Sequence, residues 1–473
     1  MTQIKFGTSG WRGILAEDFT LENVRVVSQA IADHLKSVGE ADKGVVVGHD
    51  SRFFGERFAR ETARVLAGAE VPVYLCRQDM PTPVIAFEVI RRGAGGAINF
   101  TASHNPAEYN GIKFSPSWGG PALPETTRDI EQRANAMLGE VCYRDLPLDQ
   151  AVRSGLVEEI DPLPAYFAAL RAKCDLAAIG RSGMQVIFDP MFGAGRGTVD
   201  SLLGEAGLAV QTINDHRDPY FGGMPPDPSP AHLGALIKRV QAGSGLVLGL
   251  ATDGDADRYG IVDADGSFIE PNYILALLYD YLLRRRQEQG DAARSVATSH
   301  FVDAVAAHHG FNVRETPVGF KYIGEFISQN QIVLGGEESA GLSVRGHVPD
   351  KDGILACLLV AEMVAVEGKP VGELLADLYR RVGQFHTARI NLHLSAQLAA
   401  GVGEKLAALP RSLAGHQVVE VVRTDGVKLI LDNGCWALFR KSGTEPVVRV
   451  YAEARSASEL ETLTKAAVAF VEA

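Results

Sequence analysis

Residues 253–257 read Asp-Gly-Asp-Ala-Asp and are followed by Arg258, so Asp253, Asp255 and Asp257 occupy every second position directly after the apolar run GLVLGL. In a curled loop leaving a strand, this spacing converges three hard carboxylate oxygens on one point, the ligand type that magnesium and calcium prefer. Carboxylates so close repel one another unless a cation neutralises them, so the pattern predicts a divalent metal site rather than a solvated acidic turn. An EF-hand is excluded: its loop needs glycine at the sixth position and glutamate at the twelfth, where this chain has Arg258 and Ala264.

A second reactive stretch, FTASHNPAEYNGIKF, spans residues 100–114 and sets Ser103 beside His104, with Asn110, Gly111 and Lys113 close behind. The glycines of a GxSxG hydrolase elbow are missing, and adjacency alone does not bring His104 back onto the hydroxyl. A serine that exchanges a phosphoryl group fits better, because a metal and surrounding cations supply most of what phosphoryl transfer demands. The alternative is a serine that caps a helix or turn.

Two further clusters could hold the rest of a ligand. In FRKSGTEPVVRV, Arg440, Ser442, Thr444 and Arg449 surround Gly443, a mixture of guanidinium groups, hydroxyls and exposed backbone N–H that suits a phosphate dianion or, failing that, an ordinary basic hairpin. In GGEESAGLSVRGHVPDKDG, read as a glycine-rich loop, Glu337, Glu338 and Ser339 could bond vicinal sugar hydroxyls, and Arg345, His347 and Lys351 could hold a phosphate; a plain polar loop is the alternative. Near the start, GTSGWRG offers Arg12 as an anion contact. FGAGRG imitates a dinucleotide fingerprint, but its third glycine position is Thr198, so it reads as a tight strand-to-helix turn. No GxxxxGK[ST] is present, which leaves a P-loop unsupported.

These residues need a scaffold, and the chain repeats one grammar three times. GVVVGHDSR leads through GERFARETARVLAGA to VPVYLC; MQVIFDPMFGAGRG leads through TVDSLLGEAG to LAVQTIN; SVATS leads through HFVDAVAAHHG to FNVRET. Each is a strand, an amphipathic helix and a return strand, so three related α/β domains are expected. The end of the chain differs: apolar runs from FHTARINLHL to VVRVYAEAR are joined by Asp-Gly and Asn-Gly, predicting type I′ hairpins in an antiparallel sheet flanked by two helices. The expected domains are 1–150, 151–258, 259–380 and 381–473.

Composition narrows the partners. A formal charge of -12 repels nucleic acid and anionic membrane, so an anionic ligand needs a focused pocket. Five scattered cysteines without a CxxC pair argue against disulfides or a zinc ribbon. With no leader-like N-terminus and no apolar run of membrane-spanning length, the expected location is the cytoplasm.

Four motifs in order, TASHNP, DGDADR, GEESAG and RKSGTEP, together with the repeat architecture, give a sequence that resembles the α-D-phosphohexomutase superfamily, the phosphoglucomutases and phosphomannomutases, over essentially its whole length. The resemblance implies three related mixed α/β domains plus a C-terminal α+β domain similar to the TATA-binding protein, around one central cleft. It implies that Ser103 is phosphorylated and, with Asp253, Asp255 and Asp257, binds Mg2+. It implies that Arg258 lies beside the phosphoserine, that Arg12, His104 and Lys113 sit near the transferring phosphate, and that His104 or Lys113 moves a proton. Glu337 and Ser339 would hold sugar hydroxyls, Lys351 would join the substrate set, and Arg440, Ser442, Gly443, Thr444 and Arg449 would grip the phosphate that is not reacting.

The implied reaction is reversible transfer between C1 and C6 of a hexose phosphate, with glucose 1,6-bisphosphate as intermediate and activator, in a monomer or homodimer. GEES and the lysine of PDKDG look like the phosphoglucomutase branch, so glucose phosphate comes first and mannose phosphate, alone or in a bifunctional enzyme, second; phosphoglucosamine mutases commonly carry GEQSGH, which this chain lacks. Rival classes are a sugar phosphatase and a non-catalytic sugar-phosphate sensor on the same fold.

Overall fold

The computed structural model describes residues 3–7, 10–140, 143–393, 396–441 and 447–472. The chain divides into two compact units, one of Met1–Glu270, Gly319–Gly335 and Ser339–Gly372, the other of Pro271–Val318, Gly336–Glu338 and Glu373–Ala473.

In the first unit the run VVVGH forms the strand Val45–His49, buried at every position, as expected of a parallel strand covered on both faces. It lies inside a seven-stranded sheet in the order Phe6–Gly7, Gly10–Ile14, Tyr109–Pro116, Gly96–Phe100, Val45–His49, Val73–Cys76 and Val157–Ile160. The last four are parallel to one another; the first three form an antiparallel edge. That edge matters for chemistry, because the register sets Arg12 opposite Gly111 and Lys113 opposite Asn99. The last parallel strand, Val157–Ile160, lies beyond residue 150.

A second sheet of this unit runs Phe268–Ile269, Tyr259–Val262, Val247–Thr252, Gln185–Asp189 and Val210–Thr212. Its fully buried central strand Val247–Thr252 ends where the three aspartates begin. FGAGRG is the strand-to-helix turn expected, and Ala194 N–H donates to the carbonyl of Gly254 at 2.9 Å, so this turn braces the aspartate loop. The helix Gly353–Glu367, capped by Asp352, packs on this sheet and presents Gly353 N–H to the carbonyl of Ala256 at 3.1 Å.

The second unit contains the parallel pair Ala292–Ser295 and Val313–Thr316, so the strand ends at the first residue of the expected SVATS run, whose later residues turn into the helix Phe301–His309. Its C-terminal part is a six-stranded antiparallel sheet, His386–His393, Val447–Ala454, Trp436–Lys441, Val427–Leu431, His416–Val422 and Ser412–Leu413, with helices Ala396–Ala407 and Ala457–Glu472. The hairpins form where Asp-Gly and Asn-Gly predict, but not as type I′ turns. Gly426 and Gly434 have φ of 90° and 78°, whereas Asp425 and Asn433 stay out of the left-handed region that type I′ requires of both. Asp425 instead accepts from Val318 N–H and from Arg440 Nε, at 3.1 and 2.9 Å.

Asp280, 3% exposed, ties this unit's helices together: it accepts from Arg381 at 2.6 and 2.7 Å and meets His309 Nε2 at 2.8 Å. Burial alone would raise its pKa, but the bonds from Arg381 and His309 outweigh it and hold the carboxyl at about 2. A depressed folded value contributes stability that is complete above the unfolded value and disappears as pH falls through the folded one. Stability measured by urea unfolding is therefore expected to lose about 2 kcal/mol from this group between pH 5 and pH 2. Asp280→Asn should flatten that part of the profile; an unchanged acid slope would refute the assignment.

Candidate active site

The loop after Gly96–Phe100 returns through Ser103 to the neighbouring antiparallel strand Tyr109–Pro116. Ser103 is 1% exposed and left-handed, with φ of 52°. A non-glycine residue held there costs of order 1–3 kcal/mol and persists only when its surroundings over-determine it. Here Ser103 N–H donates to Thr101 Oγ1 at 2.8 Å, and Ser103 Oγ donates to Asp253 Oδ2 at 2.8 Å while lying 3.3 Å from His104 Nδ1. Gly254 allows this approach, since a Cβ there would lie 2.7 Å from the Ser103 carbonyl oxygen.

Asp253, Asp255 and Asp257 are all fully buried, and one oxygen from each lies within 4.8 Å of the others. Burial and then the charges of Asp255 and Asp257 push the Asp253 carboxyl well above the usual range. For Asp257 burial acts the same way but is overcome by Lys113, Lys351 and Arg258, which hold it well below that range. Lys113 Nζ donates to Asp255 at 2.6 Å and to Asp257 at 2.9 Å, and Lys351 Nζ donates to Asp257 at 2.7 Å. Gly341 makes room for the second lysine, because a Cβ there would meet Lys351 Cδ at 2.4 Å. Arg258 N–H donates to Asp253 Oδ1 at 3.0 Å.

Three contributors escaped the sequence reading. Thr82 opens the helix Thr82–Arg92; its N–H donates to the Asp255 carbonyl at 2.9 Å and its hydroxyl to Asp255 Oδ2 at 2.5 Å, so a helix N-terminus faces an anion. Asn99 Nδ2 donates to that hydroxyl at 2.8 Å. Arg52 donates to the carbonyls of Ser103, Asn105, Pro106 and Tyr109. The only local signal was the polar turn HDSR at the end of a buried strand.

Arg12 Nη1 donates to Asn105 Oδ1 at 2.8 Å, and burial followed by the charges of Arg258 and Arg12 holds His104 well below its ordinary pKa. The structure thus joins Ser103, His104, Lys113, Arg12, Arg258, Lys351 and the three aspartates in one cluster.

A metal ion fits the acidic group. Asp255 Oδ1 and Asp257 Oδ1 are buried without a hydrogen-bond partner, and the donors are all hard carboxylate oxygens. Three such donors leave room for the waters and phosphate oxygens that magnesium retains.

Gly335 to Glu337 are not a glycine-rich loop as expected: the strand Leu334–Glu337 runs through them, and Ala340, with φ of 68°, makes the turn instead. Glu337 is buried at that strand's end, while Glu338 accepts from Ser295 and Thr298 hydroxyls at 3.1 and 3.3 Å. In the first unit, Ser339 is half-buried and His347 Nε2 meets Asp352 Oδ2 at 2.6 Å. Arg440 and Arg449 face each other across adjacent strands of the C-terminal sheet. Like charges opposed in this way are destabilising without a counter-charge, and Asp425 supplies one to Arg440. Arg389, opposite Tyr451 on the next strand, adds a third guanidinium to the same sheet, unnoticed because FHTARINLHL reads as a plain strand. Ser442, Gly443 and Thr444 lie outside the described residues.

If the triad is the cation site, magnesium should raise the thermal midpoint of the purified protein in calorimetry. The stabilisation should approach about 2.7 kcal/mol at a hundredfold excess over Kd. Asp255→Asn and Asp257→Asn are expected to erase it; an equal shift in both variants would place the binding elsewhere.

Comparison with known proteins gives a consistent assignment. Matches are found to the phosphoglucomutase/phosphomannomutase alpha/beta/alpha domain I over residues 3–138, domain II over 164–266, domain III over 270–382, and the C-terminal domain over 398–469. A phosphoglucomutase/phosphomannomutase of Thermococcus kodakarensis is 32% identical over 95% of this chain and 94% of its own. A provisionally named phosphoglucosamine mutase of Methanothermobacter thermautotrophicus is also 32% identical, over 95% of this chain and 94% of its own. The crystal structure of a provisionally assigned phosphomannomutase from Thermus thermophilus superposes with a TM-score of 0.86 at 34% identity, covering 100% of both chains.

Proposed function

This chain belongs to the phosphoglucomutase/phosphomannomutase family of the α-D-phosphohexomutase superfamily, and on that premise we propose that it moves a phosphoryl group between C1 and C6 of a hexose phosphate through Ser103, with glucose phosphate as preferred substrate. The observation that carries the reading is Ser103 Oγ, 2.8 Å from Asp253 and 3.3 Å from His104, within the cluster of cations around the aspartates.

In the forward step, phosphoserine 103 gives its phosphoryl group to a free hydroxyl of the hexose monophosphate. The bond from phosphorus to Ser103 Oγ breaks with its electron pair left on the serine oxygen, which takes up a proton to restore the hydroxyl, while a bond to the sugar oxygen forms and the sugar hydroxyl loses its proton. His104 is the proposed acceptor, because its surroundings favour a neutral imidazole, whereas Lys113 is held protonated by attraction to Asp255 and Asp257 that overcomes its burial. The resulting bisphosphate turns and returns its other phosphate to Ser103, so both ends of the ligand must suit one site.

Arg12 and Arg258 offer the guanidinium groups that stabilise charge on the transferring phosphoryl oxygens. A magnesium ion on Asp253, Asp255 and Asp257 would add Lewis-acid neutralisation of those oxygens when bound. Lys351, engaged by Asp257, fits the role of balancing the triad better than that of contacting sugar. Glu337 and Ser339 are proposed to bind sugar hydroxyls, and Arg440, Ser442, Gly443, Thr444 and Arg449 the remote phosphate. The opposed pair of Arg440 and Arg449 supports that last role, since an anion between them relieves their repulsion. Binding energy gathered at the remote phosphate then orients the reacting end.

Glucose 1-phosphate with magnesium and a trace of glucose 1,6-bisphosphate is expected to yield glucose 6-phosphate, with a higher kcat/KM than mannose or glucosamine 1-phosphate. Free phosphate and glucose would instead identify a phosphatase, and binding without turnover a sensor. Ser103→Ala should lower turnover by at least roughly 10³-fold. Intact-mass spectrometry should find a phosphorylated fraction in the wild type that the variant lacks, and an active alanine variant would sink the role given to the serine.

A further inference from the structure

Arg52 is fully buried, and each nitrogen of its guanidinium has an acceptor. Nε donates to Asp50 Oδ2 at 3.2 Å. Nη1 donates to the carbonyls of Pro106 and Tyr109 at 2.7 and 3.0 Å, and Nη2 to those of Ser103 and Asn105 at 2.7 and 2.5 Å. A guanidinium has five N–H donors in a fixed plane, so its hydrogen-bonding capacity is complete. Asp50 orients the group twice, because its other oxygen accepts from Arg52 N–H at 2.9 Å, and the ring of Phe221 covers the guanidinium with 4.9 Å between Cζ and the ring centroid.

Four of the five bonds end on one loop and cover its length from Ser103 to Tyr109. The loop has no regular structure between its two strands, and its reactive residue is left-handed, a conformation that relaxes to ordinary φ unless it is held. We propose that Arg52 is the positioning residue for Ser103: it fixes the carbonyl frame of residues 103–109 and so presents the serine hydroxyl to the transferring phosphoryl group in one orientation. The inference rests on the phosphoryl-carrier reading of Ser103 given above. Arg52 does not touch substrate; it acts through the backbone. Lysine is no substitute, because one ammonium with three donors cannot meet five acceptors spread around a plane.

The test is Arg52→Lys in the full chain, assayed with magnesium and the preferred hexose 1-phosphate. A misplacement of about 1 Å at a reacting atom costs on the order of 10²-fold in rate, so kcat should fall by about that factor while KM stays within about threefold, since the remote phosphate contacts are untouched. Intact-mass kinetics should show the same fall in the rate at which glucose 1,6-bisphosphate phosphorylates Ser103. Hydrogen exchange should show lost protection confined to the peptide covering 103–109.

Unchanged kcat per folded molecule, or a loss of activity that only follows the loss of folded protein, overturns the proposal. Should Arg52→Lys fail to fold, Asp50→Asn removes the charge that orients the guanidinium while keeping an acceptor for Arg52 N–H. It must then lower kcat at constant KM, and a normal kcat counts against the proposal. Ser103→Ala run alongside separates the two readings: if it stays active the serine assignment fails, whereas an inert Ser103→Ala with a normal Arg52→Lys removes only the positioning role.

Discussion

Three buried carboxylates within 4.8 Å of one another cannot all carry charge without nearby cations, and much of the first unit is arranged around that requirement. The strand Val247–Thr252 delivers them, but their neutralisation comes from elsewhere in the chain: Lys113 from an antiparallel strand of the other sheet, Lys351 from the segment before a buried helix, Thr82 from a helix N-terminus. The turn at Ala194 and the helix start at Gly353 then grip the loop's backbone carbonyls. A chain with net charge -12 thereby concentrates positive charge where an anionic ligand needs it.

The compensation is uneven. Asp257 receives two ammonium groups and is held strongly ionised, whereas Asp253 has the Ser103 hydroxyl and the Arg258 N–H and is pushed toward the protonated form. The carboxylate that touches the serine is thus the one whose charge is least satisfied by the protein itself. That asymmetry favours a cation arriving on the serine side of the cluster, where it would hold Asp253 ionised.

What the sequence made legible were residues whose partners are close neighbours in the chain. The alternating aspartates, the serine beside a histidine and the apolar runs of the strands all declare themselves within a dozen positions, so the mixed α/β units and the C-terminal antiparallel sheet were readable. Thr82 and Arg52 were not, because their bonds reach residues 173 and 51–57 positions away, and nothing local marks a threonine or an arginine as belonging to a distant loop. The glycines before Glu337 looked like loop signals, yet tertiary pairing drew Gly335 and Gly336 into a strand and moved the turn to Ala340. The Asp-Gly and Asn-Gly dipeptides located both hairpins but not their turn type, since Asp425 is held by Arg440 and Val318 in a conformation that tertiary bonding chose.

The separation of 150 positions between Ser103 and Asp253 also orders events during synthesis. The Ser103 loop can take up its frame once the strands Val45–His49 and Gly96–Phe100 have paired, but the serine gains its acidic partner only after the second sheet's central strand has been made and packed. Contacts of such sequence separation form late. A ribosome-bound chain that has emerged only as far as the first sheet therefore displays the serine without its carboxylate, and the reactive pair comes into being as a product of long-range folding rather than of local chain sequence.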